Sequence, residues 1–313
     1  MNNLCVDINA FAGHWPSHPV DGDVMEVVAS LSSVGVDRIC LSPLDAVWCR
    51  NPHHYNRWLL EVTRPLLEVL PTPVIDPTVT TWREELDAVA SDSRVKMIKL
   101  HPNYSPYALT AASDCLDAAG EKGIAVLIQT RMEDPRRQHP LQQVPDLPLN
   151  EILDVAEKHP DVPIIAGGPA WPTISVEKER LLELPNVFVD LSQCDGMNTV
   201  LRFCEMGLVD KLLFGSHTPL FIPLSAVARV VIDLDAAAAT KISNPPYHAR
   251  NVVYPLRLRN DPAESDWTLS CANMHLPWSP GEASLLIDKT SASFRKFFDI
   301  RRRMASASGS SHN

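Results

Sequence analysis

Apolar positions along the chain fall into two alternating rhythms. The first is a set of short continuous runs: LCVDI (4–8), DRICLS (37–42), TPVIDP (72–77), VKMIKL (95–100), IAVLIQ (124–129), VPIIAG (162–167), NVFVDL (186–191) and KLLFGS (211–216). Each is apolar on both faces, as a strand covered on both sides of a parallel sheet must be. Between them, apolar residues recur at helical spacing. DGDVMEVVASLSSVG (21–35) offers an Asp cap and a Gly stop, and NRWLLEVTRPLLEVL (56–70) carries Pro65, which kinks or divides it. Further helical segments cover 80–92, 110–123, 149–160, 175–185 and 196–207, each bounded by Thr, Ser, Asp, Asn, Gly or Pro. Eight strand-like runs alternating with helices predict an α/β fold, a (β/α)8 TIM barrel. A doubly wound open sheet is the alternative. No G-x-G-x-x-G follows the first run, which weakens its dinucleotide-binding form.

The barrel is expected to close near residue 256. Residues 257–304 form a mixed C-terminal extension with a candidate helix at 282–300, and the Ser-rich 305–313 reads as a disordered tail. At 313 residues, 45% hydrophobic, the chain can bury a full core in one large domain. A net charge of −10 argues against a nucleic-acid partner, and the short RRR at 301–303 is read as a solvated face. The N-terminus has no signal-peptide pattern, and no apolar run reaches the length of a membrane span. Seven scattered cysteines without a CxxC pair point to free thiols in a reducing cytoplasm, with Cys5, Cys40 and Cys204 as small core residues.

In a barrel the chemistry sits at the C-terminal ends of the strands. Those ends hold Asp7, Asn9 and Phe11 (first), Lys99 and His101 (fourth), Gln129 and Arg131 (fifth), Gly167 and Gly168 (sixth), Asp190 and Ser192 (seventh), and Ser216 and His217 (eighth). The segments VDINAFAG, IKLHP (98–102), AVLIQT (125–130), IIAGG (164–168), NVFVDLS (186–192), LLFGSHTP (212–219) and KISNPPYHARNV (241–252) together resemble the amidohydrolase superfamily, in its amidohydrolase-related (family 2) branch of hydrolases and decarboxylases. The resemblance covers about residues 4–254 in order. It implies a barrel enzyme that usually holds one or two divalent metals. The family's His-x-His on the first strand reads Asn9-Ala10-Phe11 here, its strand-five His is Gln129, its strand-six His is Gly167 or Gly168, and its strand-eight Asp is His217. Phe and Gly side chains cannot ligate, and neutral amides are poor partners for zinc. The resemblance therefore implies a pocket remodelled to work without metal, a single atypically held zinc being the alternative.

His217 and His101 are candidate acids or bases, since histidine titrates near neutral pH. Lys99 faces the interior, so it is either functional or paired with Asp190 or Asp7. The long loop 129–148 carries Arg131, Asp134, Arg136, Arg137 and His139, and reads either as a binding loop or as a solvated charged surface. As a binding loop, its arginines would clamp an anionic group while Asn9 and Gln129 hydrogen-bond the substrate. Trp15 reads as an aromatic rim with His14 and His18 as flanking replacement donors, and His53 and His54 are expected to be exposed at a helix start. The favoured function is a hydrolase or carbon–carbon lyase acting on a small carboxylated or cyclic substrate. The partner is a small anionic molecule, and self-association is open because many barrels dimerise. A catalytically inactive barrel that binds a ligand or protein partner is the competing reading, and an unrelated α/β barrel is the third. A mouth filled by Phe11 and its neighbours would favour the inactive barrel. An open one with Lys99, Arg131 and His217 converging would favour the enzyme.

Overall fold

The computed structural model of the chain describes residues 5–232, apart from 18, 21 and 197. The expected barrel end, the 257–304 extension, the tail, His18 and Cys271 all lie outside these residues. Eight parallel strands alternate with helices: β1 Val6–Ala12, β2 Arg38–Pro43, β3 Val69–Pro71, β4 Met97–Leu100, β5 Ala125–Gln129, β6 Ile164–Gly167, β7 Val187–Asp190 and β8 Leu212–Leu213. They pair in two sheets, β1-β2-β3 and β4-β5-β6-β7-β8. Backbone bonds cross both gaps. The Lys99 amide donates to Pro73 O at 2.8 Å and Ile75 N to Lys99 O at 3.0 Å; on the other side, Ile8 N donates to Phe214 O at 3.0 Å and His217 N to Asn9 O at 2.8 Å. The architecture is the (β/α)8 barrel the periodicity predicts.

The helices are α1 Val24–Ser33, α2 His53–Val62, α3 Trp82–Ala90, α4 Ser113–Glu121, α5 Leu149–Ala156, α6 Trp171–Val176, α7 Lys178–Glu183, α8 Thr199–Glu205 and α9 Pro223–Ile232. Asp23 caps α1 as expected, accepting from Met25 N and Glu26 N. Two segments depart from expectation. The third strand lies at 69–71, not 72–77, because Pro71 and Pro73 have no N–H to give a ladder. Beyond them, Val74 keeps a single bridge to Lys99. Helix α2 therefore ends before Pro65, and its continuation turns into β3. His53 is buried rather than exposed, because His53, Asn56 and Leu59 share the inward face of α2 at helical spacing. No described helix is long and apolar enough to cross a membrane. The six described cysteines are free, and Cys40 and Cys204 are buried.

Inside the ring, side chains stack in layers. The floor is apolar: Val6, Ile8, Cys40, Leu70, Met97, Leu127, Ile165, Phe188 and Leu213 pack together. Two residues further along the strands, the layer turns polar with Ser42, Thr72, Lys99, Gln129 and Asp190, all buried. The register of β1 slips against β2 between Asp7 and Ala10. Val6 and Ile8 join the floor below the slip, and Asn9 and Phe11 are re-aimed into the ring above it. A third layer covers the polar one: Phe11, Trp15, Leu44, Val47, Met132 and Leu220.

Candidate active site

The polar layer is organised by Lys99, Asn9 and Asp190, each with no exposed surface. Lys99 Nζ donates to Asn9 Oδ1 at 2.7 Å, and Asn9 Nδ2 donates to Asp190 Oδ2 at 2.6 Å. The amide of Asn9 thus relays between a cation and a carboxylate on strands that do not adjoin. Asp190 also accepts from Ser192 Oγ at 2.6 Å, Ser192 N at 2.8 Å and Gly168 N at 3.0 Å. Its Oδ1 lies 2.1 Å from where a Cβ on Gly215 would sit, so only glycine leaves room there. The ring of Phe11 stacks on Lys99, with Nζ 3.7 Å from its centroid. Burial depresses the Lys99 ammonium to about 7 against the pull of Asp190, Cys40 and Asp7. Burial likewise raises Asp190, and lifts Asp7 to about 6 although Ser216 and Asn9 bond it.

His217 lies just past β8 in the left-handed region, at φ 59°, uncommon for a residue with a Cβ. This turn buries its ring against Phe11 and Phe221, with centroids 5.0 and 5.3 Å apart. Nε2 lies 2.8 Å from the Met132 carbonyl, which only accepts, so Nε2 carries the proton. Nδ1 is left buried with a free lone pair. Gln193 Nε2, 3.4 Å from His217 Nε2, already donates to Arg131 O at 2.9 Å; two donors face each other there without bonding. Burial first, and then Lys99, push His217 down to about 3, and the same causes hold His101 well below its usual range. Neither histidine titrates near neutral pH, contrary to the sequence expectation; the low-dielectric layer keeps both neutral.

The loop after β5 divides. Arg131 tucks inward, its Nη2 donating to Gln193 O at 3.3 Å and Nη1 3.7 Å from Asp146. Asp134 and Arg136 pair with each other, Nε to Oδ1 at 2.9 Å, which holds Asp134 down to about 2. Arg136, Arg137 and His139 are exposed, and His139 Nδ1 accepts from Leu141 N at 3.2 Å. Arg136 and His139 are therefore not brought to the ring interior. Gln129 is: its Nε2 donates to Arg131 O at 2.9 Å and Gly167 O at 3.1 Å. His14 is exposed and pairs with Asp45 at 3.3 Å, away from the polar layer.

Two cavities flank the covered mouth. One, about 340 Å³, is lined by Arg131, Asp134, Arg137, Gln193, Phe221 and Arg229 among others. Gln193 and Phe221 also touch His217, so they form the wall between this cavity and the buried imidazole. The other, about 690 Å³, lies over Trp48, Asp76, Thr78 and Tyr104. The aromatic rim exists as Trp15, Trp48 and Tyr104, with centroids 4.9 to 6.1 Å apart. Neither cavity is lined by Lys99, His101 or His217. Sequence reasoning missed Gln193 and Arg229. Gln193 stands three residues past Asp190, a signal that was available. Arg229 reaches the site only because α9 packs there, its Nη1 donating to Leu191 O at 2.8 Å.

Among the described residues, no three His, Cys, Asp or Glu side chains group so as to hold a metal ion. A Cβ on Gly167 would stand 2.4 Å from Leu127 Cδ2 and 2.8 Å from Gln129 Oε1, so a side chain on strand six has no room.

The fold has counterparts among solved structures at low identity. The 5-carboxyvanillate decarboxylase of Sphingomonas paucimobilis aligns with a TM-score of 0.58 and 11% identity over 73% of this chain and 92% of that one. The 2,6-dihydroxybenzoate decarboxylase from Rhizobium gives 0.54 and 14% over 80% and 98%. The 5-carboxyvanillate decarboxylase of Novosphingobium aromaticivorans, solved with manganese and a nitrobenzoic acid, gives 0.54 and 13% over 69% and 76%. At these identities they speak for the fold alone. No curated protein matches the chain. Residues 45–243, more than half of the 313, match the family described as Amidohydrolase, and the chain belongs to that family.

Proposed function

We propose that the chain is a metal-independent hydrolase or carbon–carbon lyase acting on a small carboxylated or cyclic substrate. The strand-end donors do not fit a divalent ion. Asn9 Oδ1 already takes the Lys99 ammonium, Phe11 offers only a ring, strand six has no side chain, and the His217 Nε2 proton points at a carbonyl. A cation from solution would also meet Lys99.

One observation carries the enzymatic reading: the buried mouth keeps polar atoms without partners. They are Asp7 Oδ2, both ring nitrogens of His101, Gln129 Oε1, Gln193 Oε1 and His217 Nδ1. Each such atom costs about 1–3 kcal/mol, so a barrel kept only for its shape gains by losing them. A polar substrate satisfies them. In this reading Arg131 and Arg229 hold its carboxylate in the 340 Å³ cavity. The neutral His217 Nδ1 and the His101 ring accept hydrogen bonds from the substrate, and Gln129 and Asn9 orient the remaining polar groups. Asp134 lines the same cavity with its charge neutralised by Arg136.

The filled mouth favours the second reading, a barrel that binds without turnover, since Phe11 and Met132 have no exposed surface. Calorimetry and a carbon dioxide assay separate the two, with benzoate and 2,6-dihydroxybenzoate as probes. Arg131→Ala and Arg229→Ala are each expected to weaken carboxylate binding by about tenfold or more, a charge-assisted bond being worth about 1.5–3 kcal/mol. Binding insensitive to both changes would remove the cavity from the proposal. Turnover is expected to survive exhaustive chelation, in protein whose metal content by plasma mass spectrometry is far below one ion per chain. Turnover lost on chelation and restored by zinc or manganese would overturn the metal-independent reading, and binding without turnover would establish the second one.

A further inference from the structure

We propose that Lys99 is an amine nucleophile that forms a Schiff base with the ketone carbon of a small 3-oxo carboxylic acid. The inference rests on reading the site as that of a carbon–carbon lyase. A lysine buried only for structure meets a carboxylate, because an unpaired charge in the interior is costly. Among the described residues Lys99 meets none directly. Its Nζ has one neutral acceptor, Asn9 Oδ1 at 2.7 Å, and the face of Phe11 at 3.7 Å. Asp190 reaches it only through the Asn9 amide. Asp7, Cys40 and His217 from across the ring, and His101 from the end of its own strand, are the other titratable groups coupled to it. Burial frees the amine of its proton near neutral pH, at about 7, as amine catalysis requires.

The chemistry balances without a further reactant. The neutral amine adds to the ketone, and the carbinolamine takes up a proton and loses water to give a protonated imine; that proton is returned when the imine is hydrolysed. The bond from C2 to the carboxylate then breaks. Carbon dioxide leaves, and the bonding pair moves towards the imine nitrogen to give an enamine. A proton adds at C2, water hydrolyses the imine, and Lys99 is released with the ketone. The net reaction takes a 3-oxo acid anion and one proton to a ketone and carbon dioxide. The Phe11 ring must turn aside for a carbonyl to reach Nζ.

The test uses the full chain with 3-oxoglutarate and sodium cyanoborohydride, which reduces an imine to a stable secondary amine. Peptide mapping is expected to find one adduct per chain on Lys99, absent in Lys99→Met. Should Lys99→Met fail to fold, the wild-type map alone decides. Adducts confined to surface lysines, with Lys99 unmodified, overturn the inference. Carbon dioxide release above the buffer rate, measured alongside, separates the two levels. Release with Lys99 unmodified overturns the Schiff base and leaves the lyase standing. Neither release nor Arg131-dependent binding overturns both.

Discussion

Asp190→Ala is expected to destabilise the barrel by about 3–5 kcal/mol in urea unfolding at pH 7, the cost of leaving a buried charge network without one partner. The carboxylate takes four donors, from Asn9, the Ser192 hydroxyl, and the Ser192 and Gly168 amides, all within 3.0 Å. Alanine leaves every one of them unpaired in a layer that water does not reach. It also strips Lys99 of the negative charge that Asn9 relays. The packing against Gly215 cannot slide in to compensate, because the strand ends around it are held by their own backbone bonds. Asp190→Asn keeps the shape but turns one acceptor into a donor facing other donors, so it is expected to cost less, about 2–3 kcal/mol. A loss below about 1 kcal/mol for the alanine variant would mean that this network does not hold the mouth together.

Wild-type protein is expected to gain about 1.5 kcal/mol of stability relative to Lys99→Met as pH rises from about 7 to 8.5. The sign follows from where the protons are. In the fold Lys99 loses its proton around 7; in the unfolded chain it keeps it to the ordinary lysine value of 10.5. Between these values the unfolded state binds more protons, so stability rises with pH. The ceiling is about 1.4 kcal/mol per pH unit for one proton. Buried thiols pull the other way at higher pH. Cys40 and Cys115 are pushed up to about 12 by burial, and Cys5 and Cys194 are raised as well. Their unfolded counterparts ionise first, above about 8.5, which lowers stability there. Both proteins carry those thiols, so the difference between them isolates Lys99. Asp7, raised to about 6, titrates below the window. Parallel urea midpoints for the two proteins across the window would instead place Lys99 in an environment that does not depress it.

The strand-end reading found most of the buried polar layer. Lys99, Gln129 and Asp190 are legible from the ends of apolar runs, because a strand residue two positions past the floor must face the same side, whereas Asn9 turns inward only through the slip in β1 and His217 lies beyond its strand. What failed was the distinction between loop residues. Arg131 and Arg136 look alike in a charged segment, yet one turns inward to Gln193 and the other outward to Asp134. Local charge spacing gave no means of telling them apart. The charge state of His217 was equally hidden, since burial sets it and burial is a property of the assembled layers.

The sequence by itself determined the alternation of short buried strands with amphipathic helices that makes the barrel, because that follows from periodicity and residue type. Only the tertiary structure decided that a register slip in β1 aims Asn9 and Phe11 inward, that an amide links Lys99 to Asp190 across the ring, and that an apolar cover seals them from water. Those contacts join residues as far apart as 9 and 190, and their energies depend on the absence of solvent. Neither long-range distance nor local dielectric is written in the spacing of neighbours along the chain.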